Sequence, residues 1–252
     1  MTRDVFVPGR VPVRLTSEVS ELLSDLDIFA RLHKVQDKDS KRLVAFDPLP
    51  MQRKIFDAVA AGSNRILIVK ARQVAATTGA KMALHWLAYT TPNAAMHAIV
   101  SMREDSATAL LDDSRRWLRD PPELLQRPLR TQARTRIVYD DTGASLQAFT
   151  SRSQTGLRSF QPAAVLISEA AYAPDLAETI AQADAAVGEG LLIVESTASN
   201  PADHFARLVS GAPENGWTLL SMYWHEHPAY AVEPELVPED FLETLSEAEK
   251  QE

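Results

Sequence analysis

Lys70, Arg72, Gln73 and Thr77 crowd into one polar turn, and the residues on either side say what that turn could hold. Before it runs Ile66-Leu67-Ile68-Val69, a short continuous apolar run of the kind that forms a buried strand. After it, from about Thr78, a helical pattern begins. A strand, a tight loop and a helix N-terminus together favour an anion, because free backbone N–H groups and the helix dipole both face it. Phosphate is the chemistry this turn suits. The common phosphate-loop pattern is G-x-x-x-x-G-K-[ST]. With its hydroxyl laid on Thr77, the first Gly falls on Lys70, the second on Ala75 and the Lys on Ala76. The spacing, the threonine and the strand-helix context match, whereas the glycines and the lysine do not. Gly permits φ > 0 and close approach of backbone to ligand, so Ala75 is expected to weaken nucleotide affinity.

The elements that must position this turn can be read along the chain. Residues 1–44 read as an N-terminal extension, with Pro8 and Pro12 keeping its first part extended and Ser17 capping a helix that carries Val19, Leu22, Leu23 and Leu26. The polar stretch 34–42 is expected to be exposed. Phe46 to Gly62 reads as a turn, an amphipathic helix and a C-terminal Gly. Helix 78–90 precedes a second strand, Ala95 to Ser101, and then a helix through Trp117. RIVYD (136–140), a turn at Asp141-Thr142-Gly143 and SLQAF (145–149) read as a β-hairpin. Two further apolar runs end in polar residues: AAVLISEAAY (163–172), reaching Ser168 and Glu169, and LLIVEST (191–197). A last strand and turn lie in WTLLSMYWHEHPAY (217–230), where His225 and His227 lack the further ligand spacing of a metal site and read as structural.

These segments, in this order, resemble the ATPase domain of viral large terminase subunits, the ATPases that pump DNA into capsids. KARQVAATT is similar to that family's deviant phosphate loop, in which a basic residue at the front replaces the usual lysine. Lys70, Arg72, Gln73 and Thr77 match it, and Ala75 stands where the family has Gly. The resemblance implies a P-loop NTPase of the additional-strand type: an α/β fold with a mainly parallel central sheet flanked by helices. It implies ATP and Mg²⁺ as cofactors. Lys70, Arg72, Gln73, Thr77 and Thr78 would then line the nucleotide's phosphates, with Thr77 a metal ligand. Gln52, in Pro50-Met51-Gln52, resembles the family glutamine that reads the adenine edge, a task an amide suits because adenine offers adjacent donor and acceptor groups. Leu166-Ile167-Ser168-Glu169-Ala170-Ala171 is similar to the family's acidic strand, which makes Glu169 the candidate base. Ser168 occupies the metal-ligand position in place of Asp, and a neutral hydroxyl supplies no charge to hold Mg²⁺, so metal binding is expected to weaken. Gly156 and Arg158 resemble a loop before that strand, where an arginine could stabilise charge on a transferring phosphoryl group. Ser196 and Thr197 match the coupling motif that senses the γ-phosphate, and Glu195 before them is a second carboxylate near the site.

Composition bounds the partners. With 45% apolar and 24% charged residues the chain reads as an ordinary soluble globular protein, and zero cysteines exclude disulfides and thiolate metal sites. A net charge of -8 argues against a wholly basic DNA-coating protein. Arg115, Arg116, Arg119, Arg127, Arg130, Arg134 and Arg136 nonetheless fall close together, as a solvated surface or a local basic face. The resemblance implies double-stranded DNA, a portal protein, a small terminase subunit and further copies in a ring as partners, with no membrane, in the host cytoplasm. It divides the chain into an extension (1–44), an ATPase domain (45–230) and an acidic linker or lid start (231–252), with no room for the family's nuclease domain. Two other readings stay open: a degenerate nucleotide-binding or assembly module with little turnover, and a helicase-like ATPase.

Overall fold

The structure is a computed structural model, and it describes residues 4–5, 13–14, 17–37, 40–91, 94–151 and 157–230. In chain order its strands are β1 (Asp4–Val5), β2 (Val13–Arg14), β3 (Lys34–Gln36), β4 (Leu43–Ala45), β5 (Arg65–Lys70), β6 (Met96–Ser101), β7 (Leu129–Ala133), β8 (Arg136–Tyr139), β9 (Ser145–Thr150), β10 (Pro162–Ser168), β11 (Leu191–Thr197) and β12 (Thr218–Met222). The helices are α1 (Ser17–Ser24), α2 (Leu26–Arg31), α3 (Pro50–Ala60), α4 (Ala76–Thr90), α5 (Glu104–Trp117), α6 (Leu176–Val187) and α7 (His204–Gly211).

Eight strands make the central sheet in the order β12-β5-β11-β10-β6-β9-β8-β7. The six from β12 to β9 are parallel, and β8 and β7 add an antiparallel edge. Parallel strands need helices over both faces, so their residues are apolar on both sides rather than alternately. Ile66 and Ile68 of β5 join one core, with α2, α3, α4 and α5, while Leu67 and Val69 join the other, with α6 and α7. Leu166 and Ile193 repeat the first orientation, and Val165, Ile167, Leu192 and Val194 the second. The result is the α/β sheet flanked by helices that the sequence implied.

Two local features add to the sequence reading. The polar stretch begins with β3, which pairs antiparallel with β4 just after it, and Trp117 Nε1 donates to Lys34 O at 2.9 Å. Helices α1 and α2 are also packed against the rest: Leu23, Leu26, Phe29 and Ala30 are buried in the first core, and Trp86 Nε1 donates to Leu23 O at 2.9 Å. Burying those four apolar side chains is what makes the two helices part of the helical layer.

Candidate phosphate-binding site

Because β5, β11 and β10 are neighbours and parallel, their C-terminal ends lie along one edge of the sheet, the usual crevice for ligands in such folds. Register sets the details: Thr197 lies opposite Lys70, and Ser168 opposite Glu195. Past Lys70 the chain is fastened by Ala71 N–H donating to Met222 O at 2.8 Å. The backbone N–H groups of the next six residues, Arg72 to Thr77, donate to no partner among the described residues. Left-handed Gln73 (φ 64) and Ala75 (φ 59) alternate with right-handed neighbours, the backbone pattern that makes an anion-binding nest. The turn that usually calls for Gly is thus made with Ala, at a steric cost of about 1–2 kcal/mol.

Facing this loop is a cluster of charged and hydroxyl groups. Lys70 is buried, with Nζ 3.1 Å from Glu169 Oε1 and 3.2 Å from Glu195 Oε2. Burial works against the Lys70 ammonium, yet the attraction of Glu195 and Glu169 outweighs it and its pKa stands raised. Glu195 is wholly buried, and its Oε1 accepts from Thr77 Oγ1 at 3.1 Å and from Ser168 Oγ at 2.5 Å. Its Oε2 has no hydrogen bond: the approach of Lys70 is close enough for an ion pair but not aligned for a bond. Glu169 follows Ser168 in a left-handed conformation (φ 55), which turns its side chain out of the strand; that side chain is 44% exposed.

Around the cluster, Ser196 Oγ accepts from Ala171 N–H at 3.1 Å, and the Thr197 and Tyr172 hydroxyls are 3.0 Å apart. The bond to Thr197 and the nearby Arg72 lower the Tyr172 phenol's pKa. Arg72 and Gln73 are exposed on the loop, and Gln73 O accepts from Tyr230 OH at 3.3 Å. Thr78 sits in the first turn of α4, its N–H bonded to Ala75 O.

Gln52, expected to read the adenine edge, is bonded to main chain at both ends of its amide. It is 2% exposed; its Oε1 accepts from Leu49 N–H at 2.8 Å and its Nε2 donates to Ala75 O at 3.0 Å. Both ends of the amide are engaged with main chain, so Gln52 ties the start of α3 to the phosphate loop. Gly79 permits this approach, since a Cβ there would lie 3.0 Å from Gln52 Cγ.

Arg158 lies in a short 3₁₀ turn, Leu157–Ser159, its side chain outside what the structure describes, as is Gly156. The arginine cluster is largely neutralised: Arg115, Arg116, Arg127 and Arg134 pair with Asp112, Asp113, Asp141 and Asp105, while Arg119, Arg130 and Arg136 are exposed. No three His, Cys, Asp or Glu side chains gather as a metal cluster among the described residues, and His225 stacks on Tyr223. An open groove of about 740 Å³ between Phe160 and α6 lies by Pro162, at the opposite end of β10. Charged groups and free donors converge at the other end, which marks the site there.

The sequence therefore points to Lys70, Thr77, Ser168 and Glu169, which the fold brings together, with Arg72, Gln73, Thr78, Ser196 and Thr197 around them. It underrates Glu195, the group that all but one of the first four touch. A carboxylate closing the run Leu191-Leu192-Ile193-Val194 was the available signal. Its partners are 27 or more residues away in sequence.

No protein-family model and no curated protein matches the chain by sequence. Solved structures do resemble it. The large terminase of bacteriophage HK97 superposes with a TM-score of 0.61 at 16% identity, over 77% of this chain and 42% of that one. The large terminase ATPase domain of Thermus phage P74-26 gives 0.55 at 15% identity, over 83% and 86%. The large terminase of a thermophilic bacteriophage, in complex with ADP, gives 0.51 at 15%, over 69% and 45%. The chain thus spans about two fifths of the HK97 protein and most of the P74-26 domain. Nor is any helix among the described residues long and apolar enough to cross a membrane. In its mainly parallel sheet and helical layers, this chain has an α/β fold that resembles the fold of the ATPase domain of phage large terminases.

Proposed function

We propose that this chain is an ATP-hydrolysing motor domain of the viral DNA-packaging type, coupling hydrolysis to movement of double-stranded DNA. The observation that carries the reading is the run of six N–H groups, Arg72 to Thr77, without a hydrogen bond among the described residues, between the strand that ends at Lys70 and the helix that carries Thr77. Such a loop holds phosphate oxygens, and Lys70 adds a point charge to them. The oxygen groups of Thr77, Ser168, Glu169 and Glu195, gathered beside Lys70, are of the kind a hard divalent cation takes. Thr77 would help hold Mg²⁺, which would neutralise charge on the phosphates. Glu169, half exposed at the mouth, would take a proton from water as the water oxygen bonds to the γ-phosphorus and the bond to ADP breaks. Ser196 and Thr197, joined to the turn that follows Glu169, would pass loss of the phosphate to β11. A thermophilic-phage terminase structure in complex with ADP supports nucleotide binding as the task of a fold of this kind.

A second reading, a degenerate nucleotide-binding or assembly module, is favoured by Lys70 being held in two ion pairs and by Ala75 in place of Gly. Equilibrium binding of ATP and ADP, with turnover measured with and without double-stranded DNA, separates the two. Under the motor reading Glu169→Gln keeps binding and lowers turnover about 10²–10⁴-fold. Binding without wild-type turnover selects the degenerate module. Absence of binding at millimolar nucleotide overturns both.

A further inference from the structure

The acid that β10 lacks at position 168 stands on the strand beside it. β10 and β11 run parallel in register, with Ser168 directly opposite Glu195. Two hydroxyls hold Glu195 Oε1, one from Ser168 and one from Thr77 at the start of α4. That leaves Oε2 as a wholly buried carboxylate oxygen without a hydrogen bond, 3.2 Å from Lys70 Nζ. The Lys70 ammonium compensates the charge of this oxygen as an ion pair, but the oxygen's hydrogen-bonding capacity is open, and a phosphate that draws Lys70 away would leave it to a second cation. Lys70 has a second carboxylate partner, Glu169, 3.1 Å away.

We propose that Glu195 is the metal-facing carboxylate of this site, the charge absent from position 168 having been moved one strand across. Thr77 and Glu195 together face the cation that accompanies a nucleoside triphosphate, and Ser168 is a positioning residue that orients Glu195. The arrangement rests on the nucleotide reading of the loop given above. It also revises the expectation that Ser168 weakens metal binding: a hydroxyl there donates to the relocated acid, whereas an aspartate would set two carboxylates side by side.

The test compares ATP affinity in Mg²⁺ with affinity in EDTA, by calorimetry, for the wild type, Glu195→Gln, and the exchange Ser168→Asp/Glu195→Ser. Melting curves accompany each protein. In the wild type Mg²⁺ should tighten ATP binding. Glu195→Gln should lose about tenfold or more of that gain while binding in EDTA is retained, and the exchange, which returns the acid to β10, should recover it. A Glu195→Gln protein that keeps the full Mg²⁺ gain overturns the assignment and leaves the nucleotide reading standing. Wild type that binds no ATP under either condition overturns both. Should Glu195→Gln fail to fold, the exchange decides, and an exchange without a Mg²⁺ gain counts against the proposal. If neither variant folds, the task of Glu195 is to compensate buried charge and the proposal falls.

Discussion

Ala75 adopts φ 59 at the bend of the phosphate loop, a conformation in which its Cβ is crowded by backbone. Its carbonyl is held by Gln52 and its own turn is followed at once by α4, so the surrounding structure enforces the strain. Ala75→Gly removes the crowding but gives the unfolded chain more freedom, an opposing effect of about 0.4–1 kcal/mol. The net should be a gain of about 0.5–1 kcal/mol in urea unfolding. A loss of stability in Ala75→Gly would mean that the loop is not left-handed there. Glu169 is left-handed for another reason: it leaves β10 at the residue where the strand must stop, and the conformation carries its carboxylate to the open side.

At the scale of elements, α3 and α4 are joined by one side chain. Gln52 satisfies Leu49 N–H at the start of α3 and Ala75 O in the loop, so it fixes the loop relative to the helix. Gln52→Leu would leave Leu49 N–H without its bond in a part-buried setting, while Ala75 O keeps the N–H groups of Thr78 and Gly79, at a cost of about 1–2 kcal/mol. Denaturant unfolding should show that loss, with the preference for ATP over GTP unchanged. The opposite pattern, full stability with lost preference, would restore Gln52 to the adenine edge. Strand tips are tied in a comparable way, since the hydroxyls of Ser196 and Thr197 reach the turn after β10.

For the molecule as a whole, three buried histidines make the fold sensitive to acid. His33 follows α2 and lies against His85 of α4 and Trp117 of α5, with ring centroids 5.3 and 6.2 Å away. Burial pulls His33 down to about 4, although Phe29 O, Ala30 O and the charge of Asp120 work the other way. Burial, then the neighbouring His33, lowers His85 well below its usual range, and burial brings His97 to about 4. Each stays neutral in the folded state, while the unfolded chain takes up a proton below about pH 6.5. Stability from these groups is therefore complete above about pH 6.5 and is lost as pH falls from there toward 4. In urea unfolding at pH 7 and pH 4.5, His33→Phe should reduce the acid-induced loss by about 2–3 kcal/mol. An unchanged pH dependence would show that His33 is protonated in the fold.

The order of apolar runs and polar turns was enough to read the hairpin of β8 and β9 and the strand, polar turn and helix around Lys70 and Thr77, because these depend on neighbours in sequence, while the parallel α/β class came from the family resemblance. Lys70, Thr77, Ser168 and Glu169 were legible for the same reason: each closes or opens an element whose end faces the ligand edge. Strand order was not legible from such patterns, and it decides that β11 lies between β5 and β10. Only that placement sets Glu195 against Lys70, Thr77 and Ser168, and gives a carboxylate that ends one strand to the loop of another. The roles of Gln52 and of the arginines were likewise decided in three dimensions, by which carbonyls and carboxylates lay within reach. Side-chain identity states what a group can bond to, and packing settles which partner it finds.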